Sequence, residues 1–199
     1  MQRVGIFLFD HVELLDFAGP FEVFAVAARI VTPRPFEVVT FSATGDMITT
    51  RDGLGIKPGY RFSNVPNLDI LIIPGGPGVR ELFTDPVSLK WIQAAAQQAE
   101  TVASVCTGAL LLGRLGLLED LRATTHYLSY DILAEISPKT TVIRDERVVD
   151  NGKLITSAGI SAGIDMAFHI IGRALGDQVA RDVAIRMEYR LDTKPPDKP

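Results

Sequence analysis

Two kinds of hydrophobic spacing alternate along the chain. Val4–Phe9, Phe36–Ser42, Asp69–Ile73 and Thr101–Val105 are short apolar runs rich in β-branched residues. Runs of that length, bounded by charged residues, glycine or proline, predict buried strands. Between them lie segments with apolar residues at helical spacing: Val12–Ile30, Val79–Phe83, Pro86–Glu100, a stretch from Thr107 or Gly108 to about Leu115, Leu128–Ile136, Ala162–Leu175 and Asp177–Tyr189. Gly19-Pro20 interrupts the first of these, and Pro20 suits the first turn of a helix beginning there. Gly55–Arg61, Ala123–Thr125, Val142–Arg144, Arg147–Val149 and Leu154–Thr156 read as shorter extended pieces, with Asn151-Gly152 as a tight turn before the last.

Strands separated by helices need crossover connections, which place the helices on both faces of a mostly parallel sheet. The expectation is one α/β domain over residues 1–190, with 191–199, rich in Lys, Asp and Pro, as an unpacked tail. A length of 199 residues suits one domain with a substantial core. With 47% hydrophobic and 22% charged residues the chain reads as a soluble globular protein. A net charge of −4 gives no footprint for nucleic acid or an anionic membrane. The start, MQRVGIFLFD, lacks the apolar core of a signal peptide, and no run approaches the ~18 apolar residues of a membrane span. The single cysteine, Cys106, excludes an intrachain disulfide and suits a reducing compartment, so a cytoplasmic location is expected.

Ligands of open α/β sheets bind beyond the carboxyl ends of the strands, and three chemically suggestive segments fall there. Cys106 follows strand Thr101–Val105 and precedes a helix, whose free N–H groups favour an anion. That setting predicts a thiol pKa below the free value of ~8.5, against the alternative of a buried structural cysteine. Asp16 stands among Leu14, Leu15 and Phe17. It is either the cap of a helix beginning near Pro20 or a poorly hydrated carboxyl that keeps its proton and can donate it. Gly75, Gly76 and Gly78 follow the third strand and make either a tight turn or, with the N–H after Cys106, an anion hole. Ser104–Gly108 matches only the second half of a G-x-nucleophile-x-G elbow. Of the three histidines, His169 falls inside a helix, and His126 is either structural or turned toward Cys106. None pairs with a second ligand at metal-binding spacing.

LLDFAGPFEVF, DILIIPGGPGV, ASVCTGALLLGRLGLLEDLRATTHY and ITSAGISAGIDMAFHII occur in this order. Together they resemble the ThiJ/PfpI superfamily, a glutamine-amidotransferase-like group, over about residues 3–189. The nearest branch is isocyanide hydratase, which shares an Asp where many relatives have Glu, a Thr after the cysteine and an SAGISAGID-like segment. The resemblance implies a flavodoxin-like α/β sandwich, usually a homodimer, acting on a small-molecule substrate without metal or organic cofactor. It implies Cys106 as nucleophile on an elbow, Asp16 as its acidic partner and Thr107 as a neighbour bonding substrate or acid. Anion-hole or substrate-binding donors come from Gly75, Gly76 and Thr107, with His126, Gly159 and Ile160 accessory. The peptidase-like branch has His directly after the cysteine; Thr107 stands there here and speaks against proteolysis.

Three functions remain open at this stage. The first is hydration of an isocyanide to an N-substituted formamide. The second is ligand or oxidant sensing, as in the N-terminal domains of AraC-like regulators, which continue into a helix-turn-helix module that is not expected within these 199 residues. The third is a glyoxalase- or deglycase-like reaction on carbonyls.

Overall fold

The computed structural model describes residues 1–191. In chain order the strands are β1 (Gln2–Phe7), β2 (Phe36–Ser42), β3 (Ile48–Thr49), β4 (Gly55–Ile56), β5 (Tyr60–Arg61), β6 (Ile70–Ile73), β7 (Thr101–Val105), β8 (Arg122–Ala123), β9 (Thr141–Val142), β10 (Val148–Asp150) and β11 (Leu154–Ser157). The helices are α1 (Leu14–Ile30), α2 (Val79–Leu82), α3 (Pro86–Gln98), α4 (Gly108–Arg114), α5 (Tyr130–Ile136), α6 (Ala162–Leu175) and α7 (Asp177–Arg186).

Seven strands form the main sheet in the order β10-β11-β7-β6-β1-β2-β5, parallel throughout except for the β10–β11 pair. This is the expected flavodoxin-like sandwich. Its centre is covered on both faces, which is why Ile70–Ile73 are all buried and the run shows no alternation. The expected single piece Gly55–Arg61 is divided into β4, which pairs with β3, and β5, which joins the main sheet. The expected tail begins at Leu191, and 192–199 lie outside the described residues.

Helix α1 departs from the sequence expectation in a way that matters for the site. It begins at Leu14, six residues before Pro20, and runs through the proline. Its first turn is held from outside: the Glu13 N–H donates to the Gly75 carbonyl at 2.9 Å. Asp16 is therefore inside the first turn, and no side chain caps the N-terminus at Glu13. Pro20 is buried inside the helix, where it leaves one backbone bond unmade, and close packing surrounds it. A Cβ on Gly19 would stand 2.8 Å from Ile164 Cγ1, and one on Gly163 would stand 3.0 Å from Val105 and 3.4 Å from Pro20 Cγ. Two glycines thus bring α1 and α6 together over the end of β7.

Candidate active site

The direction of the chain switches between β1 and β6. From β1 it first builds outward to β2 and β5, then returns to build β6 and β7 on the other side. Such a switch leaves a crevice beyond the strand ends, and four connections converge on it: β1 to α1, β6 to α2, β7 to α4, and β11 to α6. They carry Asp16, Gly75-Gly76, Cys106-Thr107 and Gly159-Ile160, so residues far apart in sequence meet in one place.

Cys106 adopts φ +56°, the left-handed region that a non-glycine residue rarely enters. Its N–H donates to the carbonyls of Ser157 (3.2 Å) and Ala158 (3.1 Å), and its own carbonyl accepts from the Thr125 hydroxyl at 2.7 Å. Gly108 makes the turn possible on the helix side, since a Cβ there would stand 2.2 Å from the Ile73 carbonyl oxygen. The thiol is 5% exposed.

Asp16 is fully buried. Its Oδ2 accepts from the Gly75 N–H at 2.8 Å, while Oδ1 has no partner of regular hydrogen-bond geometry among the described residues. Burial pushes its carboxyl up from 3.8 to about 8; the Gly75 N–H pulls the other way, Glu13 adds to the rise, and the facing Cys106 thiol lowers it. A position in the first turn of a helix favours a carboxylate by at most ~2 kcal/mol. Taking a carboxylate out of water costs several. Burial wins, and the carboxyl carries a proton at neutral pH.

The same balance overturns the expected thiolate. Burial pushes the Cys106 thiol up to about 12, and the negative charge of Asp16 adds to this. The N–H groups of Thr107 and Ile160 and the Thr107 side chain act in the opposite direction without prevailing. α4 is only seven residues long, which limits what its N-terminus can offer. Thiol and carboxyl form a buried pair in which both protons are retained near neutrality.

The donors around the sulfur also differ from the expectation. The Gly75 N–H is committed to Asp16, and the Gly76 N–H donates to Thr107 Oγ1 at 2.9 Å. The two glycines hold the acid and the threonine, so neither N–H is left to face a reacting atom. A Cβ on Gly75 would lie 2.6 Å from both the Thr107 nitrogen and Oγ1, so side-chain-free backbone is required for this approach. The backbone N–H groups that favour the thiolate are those of Thr107 and Ile160. Ile160 also has a positive φ, +52°, which no sequence signal marked in a β-branched residue.

His126 is half-buried on the wall of this site. Its Nδ1 accepts from the Leu128 N–H at 3.3 Å, and the Cδ2 edge of its ring comes so close to Gly159 that a Cβ there would be 2.2 Å from Cδ2. Gly159 and Ile160 are therefore joined to the site by different means, one against the imidazole edge and one through its N–H. His169 lies elsewhere, bonded at 2.7 Å to Asp150 at the sheet edge beside Arg173. A cavity of about 530 Å³ opens near it, lined by Arg147, Val148, Phe168, His169 and Arg181, and touches none of the residues around Cys106. No group of three or more His, Cys, Asp or Glu among the described residues is arranged to hold a metal. No helix among them is long and apolar enough to cross a membrane.

Beside this geometry stands the sequence itself, which matches a known family along most of the chain. The chain belongs to the DJ-1/PfpI family. That family's model matches residues 2–173. Over 187 residues, 94% of this chain and 78% of the relative, it is 36% identical to the isonitrile hydratase of Pseudomonas putida. It is 28% identical over 188 residues to the HTH-type transcriptional regulator GbdR of Pseudomonas aeruginosa, covering 94% of this chain and spanning about half (51%) of that regulator. A solved ThiJ/PfpI family protein from Pseudomonas syringae superposes with a TM-score of 0.84 at 27% identity, over 100% of this chain and 77% of the other.

Proposed function

We propose that this DJ-1/PfpI protein is a cysteine-dependent hydratase of small isocyanides. One observation carries the reading: a fully buried carboxyl, raised to about 8, faces a buried thiol held on a strained turn. An acid that keeps its proton at neutral pH suits a reaction that must protonate carbon. The similarity to an isonitrile hydratase supports the same assignment.

Cys106 sulfur bonds to the terminal isocyanide carbon, whose electron pair takes the Asp16 proton. Asp16 recovers a proton from the thiol that has reacted, leaving a thioimidate, R–N=CH–S–Cys106. Water then adds to that carbon, one of its protons passing through Asp16 to nitrogen. Breaking the carbon–sulfur bond releases the N-substituted formamide and returns the thiol its proton. The N–H groups of Thr107 and Ile160 steady the charge on sulfur as it forms, and this stabilisation acts in a site from which water is largely excluded.

Two variants test the roles of acid and imidazole. Asp16→Asn keeps the shape and removes the transferable proton, so isocyanide turnover falls by ~10²-fold or more. His126→Asn costs much less, because the ring supports the Gly159 turn. On a small dicarbonyl, equal losses from both variants would favour carbonyl chemistry. The regulator-like sequence supports a second reading, in which the same elbow binds a ligand without turning it over. Multiple turnovers exclude it.

A further inference from the structure

We infer that Thr125 is a positioning residue for Cys106: its hydroxyl clasps the carbonyl of the left-handed turn, and its neighbour His126 packs the edge of its ring against Gly159 in the facing turn. The inference rests on Cys106 being the reacting thiol, whatever the substrate.

Thr125 and Thr124 are adjacent, fully buried and alike in composition, yet their hydroxyls differ in use. Thr125 Oγ1 donates to the Cys106 carbonyl at 2.7 Å, whereas Thr124 Oγ1 has no partner among the described residues. Among the described residues the one other donor to that carbonyl is the Ala109 N–H at 3.4 Å. A residue at φ +56° persists only when its surroundings over-determine it. The N–H side of Cys106 is fixed by the end of β11, through Ser157 and Ala158. The carbonyl side is fixed by Thr125.

The contacts then close on themselves. Thr125 leads into His126, whose ring covers Gly159 so tightly that a methyl group there has no room. Gly159 leads into Ile160, whose N–H acts on the Cys106 sulfur. The clasp on the carbonyl and the donor at the sulfur are thus two ends of one loop of contacts. Loosening the first lets the turn rotate and takes both the Thr107 and the Ile160 N–H out of line with the sulfur. The thiolate loses stabilisation without any change in the residues that touch it.

The test is the pH dependence of iodoacetamide alkylation of Cys106 in the purified protein. Thr125→Val keeps the shape and removes the hydroxyl. It slows alkylation about tenfold at each pH below the thiol's own titration, the equivalent of raising that titration by about one unit. Thr125→Ser restores most of the wild-type profile, and Thr124→Val leaves it unchanged. Should the valine variant fail to fold, Thr125→Ala makes the same measurement. A folded Thr125→Val protein with a wild-type or faster profile would overturn the inference, as would an equal slowing in Thr124→Val. Because the readout is the thiol and not turnover, a failure here is distinct from failure of the hydratase reading.

Discussion

At Asp16 and Cys106 the chemistry is set by burial acting on two acids at once. Asp16 titrates near 8 in the folded protein against an ordinary 3.8. Between those values the folded state holds a proton that the unfolded chain has released. Its contribution to stability is fully present below about 4 and is lost as pH rises through 8. Asp16→Asn has no such titration. Thermal melts should show the variant gaining on the parent protein from pH 4 to pH 8 and no further above that; a constant gap would show that Asp16 ionises normally. The same variant removes the charge that raises the thiol, so its alkylation midpoint falls below that of the parent even as turnover collapses. The sequence placed Asp16 among apolar neighbours and offered a helix cap or a protonated acid, of which the fold favours the second. It also predicted a thiolate from a strand-to-helix cysteine, and there it failed. Local position speaks for helix N–H groups, whereas the depth of burial is a property of the packed fold.

The elements that build the site were legible where hydrophobic runs were long. Thr101–Val105, Phe36–Ser42 and the α6 segment Ala162–Leu175 fall where spacing predicts them. The start of α1 did not, because Pro20 signals a first turn in isolation while the backbone of Gly75 and the packing of Gly19 against Ile164 hold an earlier one. The short pieces around residues 122–150 shifted by one or two residues, their ends being set by pairing partners that no local pattern names. Gly108 is the tightest joint between elements at the turn. Gly108→Ala forces a methyl group onto the Ile73 carbonyl oxygen, a backbone atom that cannot swing aside. A loss of ~1–3 kcal/mol is expected, read as a lower midpoint in urea unfolding. An unchanged midpoint would mean the α4 start moves freely.

At the scale of the whole molecule, the crevice between β1 and β6 gathers residues from four crossovers. The strand-end rule brought three of these segments together from sequence, those of Asp16, the glycines and Cys106, whereas Gly159 and Ile160 entered only through the resemblance. Leu14, Leu15, Phe21 and Ile160 remain 36–39% exposed on α1 and on the turn before α6. A surface of this kind beside the site suits a contact between subunits. Light scattering at micromolar concentration is expected to give about twice the chain mass of 21.7 kDa. A clean monomer would leave each site to a single chain.

The central claim is that the thiol–carboxyl pair turns over an isocyanide. Its most direct test follows the appearance of the N-substituted formamide by proton NMR with the protein and with Cys106→Ser. The account predicts many equivalents of formamide per chain from the parent protein and none above background from the variant. Formamide formed equally by Cys106→Ser, or none formed by the parent protein, would contradict it.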